Sequence, residues 1–292
     1  MDDRGQQMVA KPLLINYHRR GSWSEPGNQT WNRTPPARAS KETGGHGVRA
    51  IEREGLLFVL AVTAGSADGW SYFGLGHAFV ANMTGNTVLL GLSVFQNHGD
   101  MLHPLLSLAC YATGVVTASL LSKGGSDAAT TAGREMIWSR TISWTLLLEG
   151  VLIGAAELGW IMIQQGWGLA AAGRDVLNLN VLLGMVALGI GMQSGAILSL
   201  KVPGVMTTYI TGTWTTLLNG LVRFITRKQE PEQRTQLSGR LLMQAGVLAV
   251  YFGSAVLTGW LFRYARLAVG ALPAGTVLLV GVYGLVRTRS SA

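Results

Sequence analysis

The sequence predicts an all-α integral membrane protein: six strong transmembrane helices plus two weaker, polar membrane segments, built as an internal two-fold repeat. Three observations carry that prediction. Only 13% of the 292 residues are charged and 48% are hydrophobic, with mean hydropathy +0.31; a soluble domain carries about 25% charged residues. Asp, Glu, Lys and Arg are absent from 69–99, 101–122, 176–200, 202–222, 241–262 and 267–286, and each run approaches the ~20 apolar residues a spanning helix needs. Finally, one order of segments (strong helix, weak polar segment, two strong helices) occurs twice, over 56–164 and again over 178–287. A buried soluble core does not account for six such runs in one chain.

The elements follow in order. Residues 1–54 are polar, with nine Lys/Arg and six Asp/Glu and no sustained periodicity. They read as a disordered cytoplasmic tail, since they bury too little apolar surface to order themselves. No apolar stretch follows Met1, so a signal peptide is not expected. Asn28-Gln29-Thr30 and Asn32-Arg33-Thr34 fit the glycosylation pattern, but in a cytoplasmic tail they are chance matches. A membrane domain follows over 55–290, with helices expected at 56–73, 103–122, 141–164, 178–200, 241–262 and 267–286.

The weak segments are 77–96 and 203–222, uncharged but rich in Thr, Asn and Gly. Aromatic and β-branched residues favour extended chain over 79–83 and 205–210. Thr84 and Thr211 then look like N-caps of short apolar helices. Overlaying the halves aligns Thr84-Gly85 with Thr211-Gly212 and Leu90 with Leu217; a one-residue gap sets Asp68 against Ser194.

Positive residues weigh two topologies. If the weak segments cross, eight helices place 17 Lys/Arg inside and 6 outside; if they dip in and return, six crossings place 20 inside and 3 outside. The second division favours six crossings with inverted halves. In both cases the two termini lie in the cytoplasm. The net charge of +8 is explained by these flanking positions, and nucleic acid is not expected as a partner.

Candidate site residues fall on the interruptions and on the acids between them. Asp68 is the lone acid between Gly55 and Gly74, and an acid inside a membrane helix usually faces protein or water and serves a function. Asn82, Thr84, Gly85, Asn86, Thr211, Gly212 and Thr213 surround helix starts whose free N–H groups suit an anion or polar ligand. Their competing role is to satisfy a broken backbone in lipid. Gln193 and Ser194 form the matching polar step on the fifth helix. Glu157 joins Asp68 as a possible coupling residue. Glu149 lies eight residues before it on a similar face, beside the close-packing step Gly150-x-x-x-Gly154. His77, His98 and His103 are expected at membrane edges.

One cysteine, Cys110, leaves no intramolecular disulfide and no multi-cysteine metal site. No phosphate loop, zinc-protease signature or nucleophile elbow occurs, so no cofactor and no enzyme activity are expected.

These residues carry a resemblance. "AGSADGWSYFGLGHAFVANMTGNTVLLGL" and "GIGMQSGAILSLKVPGVMTTYITGTWTTLL" resemble the two signatures of the YoaK family, also called DUF1275, multi-pass bacterial membrane proteins of unknown function. The similarity spans about 56–287 and includes Asp68, Met83 to Thr87, Met192-Gln193, Val202 to Gly204 and Thr211-Gly212. Ser194 departs from the Asn expected there. The resemblance implies a cytoplasmic membrane location and no particular substrate.

The expected function is a secondary transporter or channel for a small polar or anionic solute, with Asp68 coupling protonation to movement. The alternative is a non-transporting scaffold or sensor that uses the tail. Beyond the lipid bilayer and a solute, Gly-rich helix faces permit a homodimer without requiring one.

Overall fold

The computed structural model describes residues 43–95, 101–131, 139–166, 175–199, 210–226 and 230–289. The expected tail lies outside these residues up to position 42. Among the described residues there are helices and no strands. They are α1 (Thr43–Gly74), α2 (Met83–Ser93), α3 (Leu102–Thr131), α4 (Arg140–Gln164), α5 (Asp175–Ser199), α6 (Ile210–Thr226), α7 (Pro231–Tyr264) and α8 (Ala271–Arg289), with a 3-10 turn at Arg266–Ala268.

Hydropathy locates the membrane part of each helix and misses its polar extension. α1 starts at Thr43 rather than after residue 54, because "RAIERE" at 49–54 is made of good helix formers. α7 starts at Pro231 rather than near 241; Pro fits the first turn, where its missing N–H costs nothing. Both corrections have one cause: helix propensity continues where the chain is no longer apolar.

Among the described residues, six helices are long and apolar enough to cross a membrane: Gly55–Gly74, Leu102–Ser122, Arg140–Gln164, Leu179–Leu198, Pro231–Tyr264 and Arg266–Thr288. α2 is different. Its 11 residues rise only about 16 Å against a hydrocarbon core of about 30 Å, so it cannot cross as a helix.

α1 and α5 are the most enclosed spans. α1 packs on α7 and α8, α5 packs on α3 and α4, and α4 packs on α8. The short helices lie against their sequence neighbours, α2 on α3 and α6 on α7. Glycine makes the tight crossings, as expected where van der Waals contact replaces the hydrophobic effect. A Cβ at Gly65 of α1 would overlap the Tyr251 carbonyl oxygen of α7, and one at Gly191 of α5 would overlap the Tyr111 carbonyl oxygen of α3. The α4–α8 crossing has the same exchange: Gly150 lies against Leu278, and Gly281 against Leu147.

Candidate functional site

The site begins where α1 stops. Gly76 takes φ 110°, a backbone that disfavours any side chain, and a Cβ there would overlap the His103 ring. His77 follows at φ 57°. Residues 78–82 then run without helical structure until α2 opens at Met83. Amides in such a stretch have no water to bond in a membrane interior, so protein must supply the acceptors.

Asp68 supplies three of them. Its Oδ1 accepts from the N–H groups of Val80 at 2.7 Å, Ala81 at 2.6 Å and Asn82 at 3.4 Å. Its Oδ2 accepts from the Tyr251 hydroxyl of α7. Asn86, fully buried on α2, grips the preceding residue from the other side. Its Oδ1 accepts from Phe79 N–H at 2.8 Å, and its Nδ2 donates to the Phe79 carbonyl at 2.6 Å and to the Ser107 hydroxyl of α3 at 3.1 Å. Asn82 closes the helix start, accepting Gly85 N–H on its side-chain oxygen at 3.1 Å. The cap is therefore Asn82 rather than Thr84, and α6 already begins at Ile210, which puts Thr211 within its first turn. The Asn82 side chain reaches the amide three residues on, and Thr84, inside the first turn of α2, is left exposed.

The first turns of α2 and α6 meet at a cleft of about 160 Å³. Asn82, Met83 and Thr84 line it from the α2 side, Ile210, Thr211 and Gly212 from the α6 side, and Tyr111 of α3 and Tyr251 of α7 complete it. Among the described residues, none that lines it is charged. The hydroxyls of Thr84 and Thr211 are exposed, and neither is committed to a hydrogen bond among the described residues.

The structure thus brings together Asn82, Thr84, Thr211 and Gly212. Asp68 stands one hydrogen bond behind the cleft, through Tyr251. Gly85 lies under the wall, where a Cβ would come 2.9 Å from the Phe79 ring, and Asn86 holds that wall in place. The other residues fall elsewhere. Gln193 donates to the Leu60 carbonyl at 3.2 Å, tying α5 to α1, and Ser194 donates to Ile190 within α5. Thr213 is buried on α6 away from the lining. Glu157 accepts from Gly270 N–H at 3.0 Å, just before α8, and so anchors the start of that helix. Glu149 is fully buried between helices, with neither carboxyl oxygen hydrogen-bonded among the described residues. His103, the second residue of the Leu102–Ser122 span, is buried against Gly76, where the missing Cβ leaves room for its ring. His98 lies outside the described residues.

Sequence reasoning missed the two tyrosines. A signal was present: Leu108-Ala109-Cys110-Tyr111 on α3 and Leu248-Ala249-Val250-Tyr251 on α7 are similar. Both tyrosines are placed by the glycine they pack against on another helix, Gly191 of α5 for Tyr111 and Gly65 of α1 for Tyr251.

Six long apolar helices among the described residues define an α-helical, multi-pass transmembrane protein. A model of the family described as "Protein of unknown function (DUF1275)" matches residues 56–283, and the chain belongs to that family. It is similar to the UPF0700 transmembrane protein YoaK of Bacillus subtilis (strain 168), at 28% identity over 210 residues, covering 71% of this chain and 83% of that protein. No solved structure matches the chain.

Proposed function

We propose that the protein is a secondary transporter or channel for a small polar or anionic solute, with the cleft between α2 and α6 as its site. The observation that carries this reading is the convergence of the first turns of α2 and α6 on one cleft with polar lining groups. Transporter sites are commonly built from discontinuous helices whose free ends face the ligand.

The helix pairings support equivalent halves. Exchange α1 to α4 for α5 to α8, and α1–α7 becomes α5–α3, α1–α8 becomes α5–α4, and α2–α3 becomes α6–α7. An inverted repeat with six crossings brings α2 in from one membrane face and α6 from the other. It also keeps 20 of 23 Lys/Arg on one side, which favours a cytoplasmic-membrane protein with both termini inside. Asp68 is the coupling residue in this proposal, since it holds both the α2 approach and Tyr251.

Purified protein in liposomes is expected to carry a small solute faster than protein-free vesicles. Asp68→Asn is expected to abolish the proton dependence of that flux. Full flux with unchanged proton dependence in this variant would remove Asp68 from the coupling role.

A further inference from the structure

We infer that the cleft takes an uncharged, hydrogen-bonding solute of about six heavy atoms, such as a small polyol or amide, and discriminates against free anions. This narrows the transport reading above and rests on it.

Charge gives the first argument. A helix N-terminus carries about half a positive charge, so the two converging ends attract an anion at first sight. The end of α2 is already answered: Asp68 takes the amides of Val80, Ala81 and Asn82 immediately before the helix. All four partners of Asp68 are placed to donate to it, so both of its oxygens are already engaged. The end of α6 supplies the other half charge, and among the described residues no lining side chain is cationic. An anion entering here would lose its water, meet half a positive charge and face the Asp68 carboxylate one tyrosine away. An isolated charge is not sustained under those terms.

The hydrogen-bonding groups give the second. The Tyr251 proton is committed to Asp68, so its oxygen presents lone pairs and acts as an acceptor. The Asn82 side-chain oxygen is committed to Gly85, which leaves its NH₂ as a donor. Thr84 and Thr211 contribute hydroxyls that both donate and accept. Met83, Ile210 and the tyrosine rings supply apolar surface between them. A mixed donor–acceptor set with apolar patches matches neutral hydroxyl or amide compounds. Size gives the third argument: the volume of about 160 Å³ is close to that of a cavity of about 150 Å³ that holds benzene.

The test is stopped-flow swelling of proteoliposomes containing the full chain, with glycerol and urea as neutral probes and formate and nitrate as anionic probes. Glycerol or urea flux at least tenfold above protein-free vesicles is expected, with formate and nitrate at the vesicle background. Thr84→Val with Thr211→Val should reduce the neutral flux about tenfold, and Thr84→Ser with Thr211→Ser should retain it. Neither hydroxyl supports the fold, so both double variants are expected to unfold at the temperature of the parent. Formate or nitrate flux exceeding that of the neutral probes overturns the uncharged class and leaves transport standing. Neutral flux unchanged in the valine variant overturns the hydroxyl site. No flux of any probe from folded protein overturns the transport reading and this inference together.

Discussion

Asp68 and Glu149 are both buried acids of the membrane domain, yet their surroundings give them opposite effects on stability. Asp68 is an acceptor for four donors. Removing it strands buried N–H and O–H groups, each of which costs about 1–3 kcal/mol. Asp68→Ala should therefore lower stability by about 3 kcal/mol or more, while Asp68→Asn, which keeps one acceptor oxygen, should lose less. Among the described residues, Glu149 has no hydrogen bond to lose. Glu149→Met should be neutral or should stabilise by about 1 kcal/mol, since burying an unbonded polar group is itself unfavourable. Thermal unfolding in detergent measures both; a Glu149→Met protein that melts well below the parent would show that the carboxyl has a partner. Asp68 was legible from sequence as a rare acid in an apolar helix. Its grip on residues 80–82 was not, because that depends on the chain reversing at Gly76 and on α7 delivering Tyr251.

The glycines separate close contact from open surface within the helices. Gly65 and Gly191 have no room for a methyl group against the facing backbone, whereas Gly154 and Gly253 have nothing within 4 Å of a Cβ. Gly65→Ala and Gly191→Ala should each destabilise by about 1–3 kcal/mol through forced separation of the helices. Gly154→Ala and Gly253→Ala should be neutral or slightly stabilising, because alanine is the better helix former. Equal melting temperatures for all four variants would contradict the α1–α7 and α5–α3 crossings. Sequence spacing singled out Gly150 and Gly154 together, but only Gly150 meets a neighbour, Leu278. Periodicity places residues on a face of a helix and does not say which part of that face another helix covers. The short helices were legible as interruptions, whereas their starting residues were not, since the Asn82 cap depends on local backbone geometry.

Across the whole molecule, the proposed topology of six crossings and two dipping segments predicts a definite labelling pattern. Single cysteines placed through 77–96 and 203–222 in a Cys110→Ser background should show both flanks of each segment accessible from one membrane side. The two segments should open to opposite sides. Flanks of one segment labelled from opposite sides would establish full crossing and eight helices. A pair of cysteines at Thr84 and Thr211 should also cross-link with a short bifunctional reagent, because both line one cleft.

Composition and pattern alone determined that this chain is helical and membrane-embedded, where its apolar spans lie, which family signatures it carries and where they break. Those are local properties: the absence of charge over a span-length run forces burial in lipid, and Thr, Asn and Gly in such a run weaken the helix. The tertiary structure decided which polar groups share a space. Tyr111 and Tyr251 reach the cleft, Asp68 turns to the loop and to Tyr251, and Glu157 turns away to α8. Such choices are made by contacts between helices far apart in the chain, where close glycine packing and the need to satisfy every buried amide act together.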